Sequence, residues 1–374
     1  MKTDEPSSGG ILVINPGGTS TKVALFDRER ELFSLDVRHD PARLAAWGRV
    51  IEQLEFRLGT VRELLAERRV AIAGLAAVAG RGGALAPVPS GTFLVDEAML
   101  GAIRKGRVMV EHPSLLGAPM ADRLAREAGC PAFVVDPVCV DELLPEAKLS
   151  GLPSLPRRAL SHALSVKAAA REVAARMGRS LEELDLIVLH LGSGFTVAAQ
   201  RQGRQIDHND ATACGPMAPT RAGDLPSMDL ARLCCSGALT FDRIERMLVG
   251  EGGWRAHLGT DDVREVYRRV DAGEAGARLV LDATLHQLAK EVGGLLAVLS
   301  GRVDAIVVTG GVARSERFVG ELQSRLSWIG APLHVLPGEH EMRALARGAR
   351  RVLDGEIEAV SMAPFLEAAG TEGA

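Results

Sequence analysis

The stretch Ile11-Leu12-Val13-Ile14-Asn15-Pro16-Gly17-Gly18-Thr19-Ser20-Thr21-Lys22-Val23-Ala24-Leu25-Phe26 decides how the rest of the chain is read. Four apolar residues, Ile11 to Ile14, predict a buried strand, and Val23 to Phe26 predict a second. The turn between them offers backbone N–H groups at Gly17 and Gly18, the hydroxyls of Thr19, Ser20 and Thr21, and the Lys22 cation. That set suits an oxyanion such as phosphate. The Walker arrangement needs two glycines five apart and then Lys-Ser/Thr opening a helix, which this loop does not have. Taken alone, it fits an ordinary tight hairpin as well as a phosphate cradle.

The pattern recurs. Leu186 to Ala199 again reads strand, glycine turn, strand, with His190 where Asn15 stood and Gly192 where Gly17 stood. A third strand runs from Asp304 into Thr309-Gly310-Gly311. Between these lie alternating segments: helical patterns over 41–67, 97–105, 114–128 and 160–177, and apolar strands over 71–79 and 131–135. Alternation of this kind with a repeated opening predicts an α/β protein of two related halves. A nucleotide would then lie in the cleft between the halves, a frequent place for ligand sites. The loop Ser150 to Pro156 gathers glycine and two prolines and reads as the crossing between domains.

Composition narrows the partners. A net charge of −4 and 3 % aromatic residues, with no basic tract, give no footprint for nucleic acid or an anionic membrane. An apolar content of 47 % is enough for full-sized cores in 374 residues. No apolar run approaches the ~20 residues of a membrane span, and Met1 to Gly10 lack the apolar core of a signal peptide. The five cysteines are odd in number and without CxxC spacing. They are expected to be reduced thiols, mostly buried, in a cytoplasmic protein, with no zinc site.

If the glycine turns hold phosphates, phosphoryl transfer needs cations and metal-binding carboxylates, because position and charge supply most of the catalysis. Arg81 in Gly80-Arg81-Gly82-Gly83 and Arg221 in Thr220-Arg221-Ala222-Gly223 are placed to bring a planar fork to an oxyanion, or are two surface arginines among many. Asp136 could orient groups around a metal or a phosphoryl group, or start an Asp-Pro turn. His190, at a strand end beside a glycine turn, suits hydrogen bonding to a moving phosphoryl group, or is a satisfied strand-end histidine. His162 reads as a packing residue. Glu341 could hold magnesium through water, or stabilise a helix N-terminus. Asp261-Asp262 reads as a capped helix start.

Several segments resemble the acetokinase family, within the superfamily of acetate and sugar kinases, actin and heat-shock chaperones. They are, in order, 15–22, Ala79 to Gly83, Val135 to Leu143, Ser150 to Pro153, His162 to Leu164, His190 to Gly194, Leu258 to Val266, Thr309 to Ala313 and Pro337 to Glu339. The resemblance spans about residues 11 to 355. It implies two duplicated ribonuclease-H-like (actin-like ATPase) domains with an interdomain active-site cleft. It also implies reversible ATP-dependent phosphorylation of a short-chain carboxylate, butyrate foremost, to the acyl phosphate with release of ADP. A kinase for acetate, propionate or isobutyrate is the neighbouring reading, and a nucleotide-binding relative without turnover the non-enzymatic one.

Carried over by motif, Arg81, Asp136, His162, His190 and Arg221 would be catalytic. Asn15, Ser20, Lys22, Gly192, Gly194, Gly310 and Gly311 would bind the nucleotide, and Glu341 would serve Mg²⁺. The family also implies a homodimer or larger. The corresponding domains are 11–155, joined by a C-terminal helix near 341–355, and 156–340, with tails at 1–10 and 356–374. The chain departs from the family at Ser161, Ser193, 211–217 and 223–229, which bears on substrate identity more than on phosphoryl transfer. Gly82, Gly83 and Ser161, small residues beside site positions, are expected to leave room for more than a methyl group on the substrate.

Overall fold

A computed structural model describes residues 9–371. The chain divides into two compact units, the first Met1–Asp141 with His340–Ala374 and the second Glu142–Glu339. The part of the 1–10 tail that precedes Gly9 lies outside the described residues.

In the first unit, β1 (Ile11–Pro16), β2 (Ser20–Asp27) and β3 (Arg30–Arg38) form an antiparallel meander. Alongside β1, β4 (Ala77–Gly80) and then β6 (Ala132–Val135) are parallel, and β5 (Thr92–Leu94) closes the edge antiparallel to β6. The sheet order is β3-β2-β1-β4-β6-β5. The apolar run Ile11 to Ile14 is fully buried, as its lack of alternation predicts for a strand covered on both faces.

The second unit repeats the plan. β7 (Asp185–Leu191), β8 (Phe195–Arg201) and β9 (Arg204–His208) form the meander, and β10 (Ala305–Gly310) and β11 (Leu333–Pro337) continue in parallel beside β7. Its order, β11-β10-β7-β8-β9, is the first unit's β6-β4-β1-β2-β3 in the same sense. One face packs on the helix Ala163–Met177 through Val166, Ala169, Ala170 and Val173. The other carries the larger core around Trp254 and the helix Ala275–Val298.

Several sequence expectations need correction. The helical pattern over 41–67 is a short turn at Pro41–Leu44, a 3₁₀ turn at Val50–Gln53 and a helix only over Leu54–Glu67. The strand expected from 71 begins at Ala77. The unit boundary falls before the Ser150 to Pro156 loop, which lies inside the second unit. Residues ahead of that loop are already tied to β9: Leu144 N–H donates to Ile206 O, and Glu142 accepts from Gln205 N–H and Lys167. The segment after 356 is more than a tail. Val360 bridges Phe93, Met362 is buried, and Ala363–Thr371 is helical with Phe365 edge-on to Phe93.

Candidate functional site

Within the first unit, Asn15 sits near the C-terminal end of β1, and its Nδ2 donates to Glu341 Oε2 at 2.7 Å. Glu341 is the first residue of the helix Glu341–Leu353, and its Oε1 lies 3.5 Å from Arg81 Nη2. Arg81 follows β4 directly, and its N–H donates to Ile14 O, which fixes its backbone beside β1. Its side chain is 5 % exposed, and Nη1 is buried with no hydrogen-bond partner among the described residues. A buried guanidinium with a donor to spare is suited to an anionic ligand.

Asp136 follows β6 and is fully buried, with φ +37°, a region that non-glycine residues seldom adopt. Its Oδ1 accepts from Ser90 Oγ at 2.6 Å and Gly91 N–H at 2.9 Å. Backbone strain at a buried carboxylate is characteristic of functional positions. Ser90 was not singled out from sequence. Its one signal there is its place between Pro89 and Gly91, in a stretch rich in turn-forming residues.

At Gly17 the β1–β2 turn follows the tight-hairpin reading rather than the phosphate cradle. Gly17 N–H donates to Ser20 O at 2.8 Å, closing the turn, so it is not offered to a phosphate. The turn is braced by Arg57, fully buried, which donates to Gly18 O, Ser20 O, Thr21 Oγ1 and Gln53 Oε1. Burial lowers the Arg57 pKa to about 10, leaving it charged at neutral pH. Arg57 was also missed, since on sequence it is one more arginine in a helical pattern. Ser20 opens β2, and Lys22, half-buried, pairs with Asn15 in the strand register.

The second unit brings together His162, His190, Gly192, Gly194 and Arg221. The His162 and His190 rings stack with centroids 4.5 Å apart and planes at 29°. Thr196, opposite His190 in the β7–β8 register, bonds His162 Nδ1 at 2.8 Å and accepts from the His162 N–H at 3.2 Å. This lifts His162 from a packing residue to a member of the cluster. The Arg221 side chain lies against Gly194 so closely that a Cβ there would sit 3.1 Å from its Cγ and Nε, so any larger residue would press on the guanidinium arm. Arg221 Nε is buried without a partner among the described residues, and burial lowers the Arg221 pKa. Ser193 holds the loop, its carbonyl accepting from the Thr220 N–H and Oγ1. Gly310 has φ +100°, and a Cβ there would strike Leu191 O at 2.4 Å. Gly310 exchanges hydrogen bonds with Gly338, and Gly311 opens the following turn.

The two units solve one design twice. In each, a polar residue late in the first strand meets the residue at the start of a packed helix: Asn15 with Glu341, and His190 with His162, the N-cap of Ala163–Met177.

Gly82 and Gly83 do not form open walls. A Cβ at Gly82 would lie 2.5 Å from Val134 Cγ1, and one at Gly83 2.6 Å from Leu115 Cδ2, so close packing requires both glycines. Ser161 accepts a hydrogen bond from Gln205 Nε2. These three residues therefore lend no support to a roomier substrate site.

Among the described residues, no three His, Cys, Asp or Glu side chains cluster to hold a metal. Magnesium ordinarily keeps several waters and takes one or two carboxylates plus phosphate oxygens. Glu341 fits that modest role, with its carboxylate already shared by Asn15 and Arg81. All five cysteines are free, but they are not mostly buried as expected: only Cys139 is, its thiol pushed up to about 11 and unreactive at neutral pH, while Cys234 and Cys235 on a surface helix are exposed. No described helix is long and apolar enough to cross a membrane.

Two units that share this strand order and these glycine turns define the actin-like ATPase fold, and solved structures agree. The acetate kinase of Porphyromonas gingivalis superposes with a TM-score of 0.76 at 17 % identity, covering 92 % of this chain and 100 % of that one. A propionate kinase from Francisella tularensis subsp. tularensis SCHU S4 gives 0.72 at 17 % identity, covering 91 % and 98 %. The Acetokinase family pattern matches residues 154–336. A relative described as "Probable butyrate kinase 2", from Caldanaerobacter subterraneus subsp. tengcongensis, is 45 % identical over 346 residues, 92 % of this chain and 97 % of its own length. The chain belongs to the acetokinase family, phosphotransferases whose acceptor is a carboxylate.

Proposed function

We propose that the protein phosphorylates a short-chain carboxylate, butyrate foremost, with ATP as donor, forming the acyl phosphate and ADP. The carrying observation is the grouping of His190, Gly194 and Arg221 in the second unit, with the Arg221 Nε buried and unsatisfied. The relative at 45 % identity supports butyrate over acetate. A carboxylate with a pKa of about 4–5 is ionised at neutral pH, so its attack on a phosphoryl group needs no general base. The obstacle is repulsion between two anions, and fixed cations relieve it.

Roles follow from residue chemistry. Arg221 and His190 stabilise charge on the transferring phosphoryl group, with His162 holding the His190 ring. Gly192, Gly194, Gly310 and Gly311 let backbone approach the nucleotide, and Ser20 and Lys22 contribute a hydroxyl and a cation. Arg81 meets the substrate carboxylate, kept in place by Glu341, which also holds Asn15. Asp136 orients the reacting groups. Magnesium, when bound, neutralises phosphate charge, and Glu341 is the residue that would hold it.

Loss of one oriented donor of this kind typically reduces rate by ~10²–10³-fold. Arg81→Ala and Arg221→Ala are each expected to lose that much acyl-phosphate formation in a hydroxamate assay while keeping a wild-type circular dichroism spectrum. Near-normal turnover by either variant would remove its assigned role.

A further inference from the structure

Behind the stacked histidines, the sheet face that packs against the helix Ala163–Met177 is rich in buried polar side chains. Thr196, Ala198 and Gln200 alternate onto this face, where Ala198 packs with Val166 and Ala170. On β9, Gln205 pairs with Gln200 and His208 with Ala198, a bulge taking up Ile206 so that both polar residues share the face. Ile206 turns instead to the opposite core, with Val197 and Ala199. Gln200 is 0 %, Gln205 1 % and His208 2 % exposed.

Four polar atoms in this patch have no hydrogen-bond partner among the described residues: Gln200 Nε2, Gln200 Oε1, Gln205 Oε1 and His208 Nε2. His208 Nδ1 bonds the Asn209 carbonyl at 2.9 Å, so it carries the proton and Nε2 is a bare acceptor. Burial lowers the His208 pKa and keeps the ring neutral. The patch thus presents three acceptors and one amide donor. Buried polar groups in native proteins nearly all find partners, and ordered water serves those the chain cannot. The neighbouring charges are already matched: Lys167 Nζ bonds Glu142 and Gly203 O, and Glu142 also accepts from Gln205 N–H. One water, neutral with two donors and two acceptors, meets the amide donor and two of the three acceptors, and a second meets the third, whereas an anion would face three acceptors.

The patch also touches the histidine pair. Gln205 Nε2 donates to Ser161 Oγ at 2.8 Å, and Thr196, on the same face, bonds His162 at both its backbone N–H and its Nδ1. We propose that Gln200, Gln205 and His208 enclose a site for ordered water, and that this water braces the Ser161–His162 segment and so fixes the ring stacked on His190. Gln200, Gln205 and His208 are then positioning residues. The bracing role rests on the assignment of His162 to the active site, whereas the water site does not.

Crystals of the full chain, with Gln200→Met and Gln205→Met variants, test both parts. The expected result is ordered water within hydrogen-bond distance of Gln200, Gln205 or His208, lost or displaced in the variants. The ¹⁵N shifts of the His162 ring, which report its tautomer, should change. kcat should fall about fivefold, the worth of one hydrogen bond, with KM for ATP unchanged. A direct amide bond between Gln200 and Gln205 with no water in the patch would overturn the site. Water present, with His162 shifts and kcat unaltered in whichever variant folds, would overturn the bracing. His162→Ala separates the premises: full activity there would remove His162 from the active site while leaving the water site standing.

Discussion

Replacing Glu341 by glutamine keeps the side chain's size and removes its charge. In the first unit that charge is shared between Asn15 Nδ2 at 2.7 Å and Arg81 Nη2 at 3.5 Å. At 3.5 Å and an effective dielectric constant of ~20, the gross attraction to Arg81 is about 5 kcal/mol. Desolvation offsets part of it. Breaking such a buried pair from one side costs ~3–5 kcal/mol, and the 19 % exposure of Glu341 argues for less, about 2–3 kcal/mol. If that energy keeps Arg81 in position, Glu341→Gln lowers kcat by ~30–150-fold. The assay is acyl-phosphate formation trapped as hydroxamate at saturating ATP, repeated over a wide range of magnesium concentration. Excess magnesium should not restore the rate, because the loss lies in the protein's own pair. Full recovery at high magnesium would refute the anchoring role and leave Glu341 a metal residue alone. An unchanged kcat would refute both.

Two further outcomes follow from the geometry. Ser90→Ala removes the 2.6 Å hydrogen bond to Asp136 and leaves that of Gly91. A hydrogen bond to a charged group is worth ~1.5–3 kcal/mol, so kcat should fall ~10–100-fold with partial rescue in Ser90→Thr, and equal activity of Ser90→Ala would contradict the clamp. Gly253 has φ +63°, and a Cβ there would lie 1.7 Å from Ala218 O and 2.6 Å from Arg221 O. Gly253→Ala should therefore destabilise the second unit by more than about 3 kcal/mol, read as a lowered denaturant midpoint with loss of turnover, and a wild-type midpoint would be inconsistent with this packing.

Much of the fold was legible because its signals are local. The four-residue apolar runs beside glycine turns mark β1 and β7, and their recurrence announces the duplication. The helix Glu97–Lys105 was bounded correctly because its ends are encoded: Asp96 accepts from Met99 N–H, and Gly106 takes the left-handed C-cap. The helical pattern over 41–67 misled because apolar spacing survives across the breaks at 45–49, where the chain turns. Edge strands β5 and β11 are too short, at 3 and 5 residues, to carry a period. The site is less legible for a related reason. Asn15 and Glu341 are 326 residues apart, and nothing near either one names the other. Arg57 and Ser90 act through loops and a neighbouring carboxylate, roles that only proximity reveals. The N–H groups of the first glycine turn illustrate the converse error, since composition counts donors and the fold has already used that of Gly17.

The central claim is that a carboxylate receives the phosphoryl group. Purified protein with magnesium, ATP and, separately, acetate, propionate, butyrate, isobutyrate and isovalerate, with acyl phosphate trapped as hydroxamate, tests it most directly. Each buried methylene adds only ~0.8 kcal/mol, so kcat/KM should rise by about fourfold per carbon toward butyrate rather than show absolute selection. ATP binding with no acyl phosphate from any of the five acids would contradict the account.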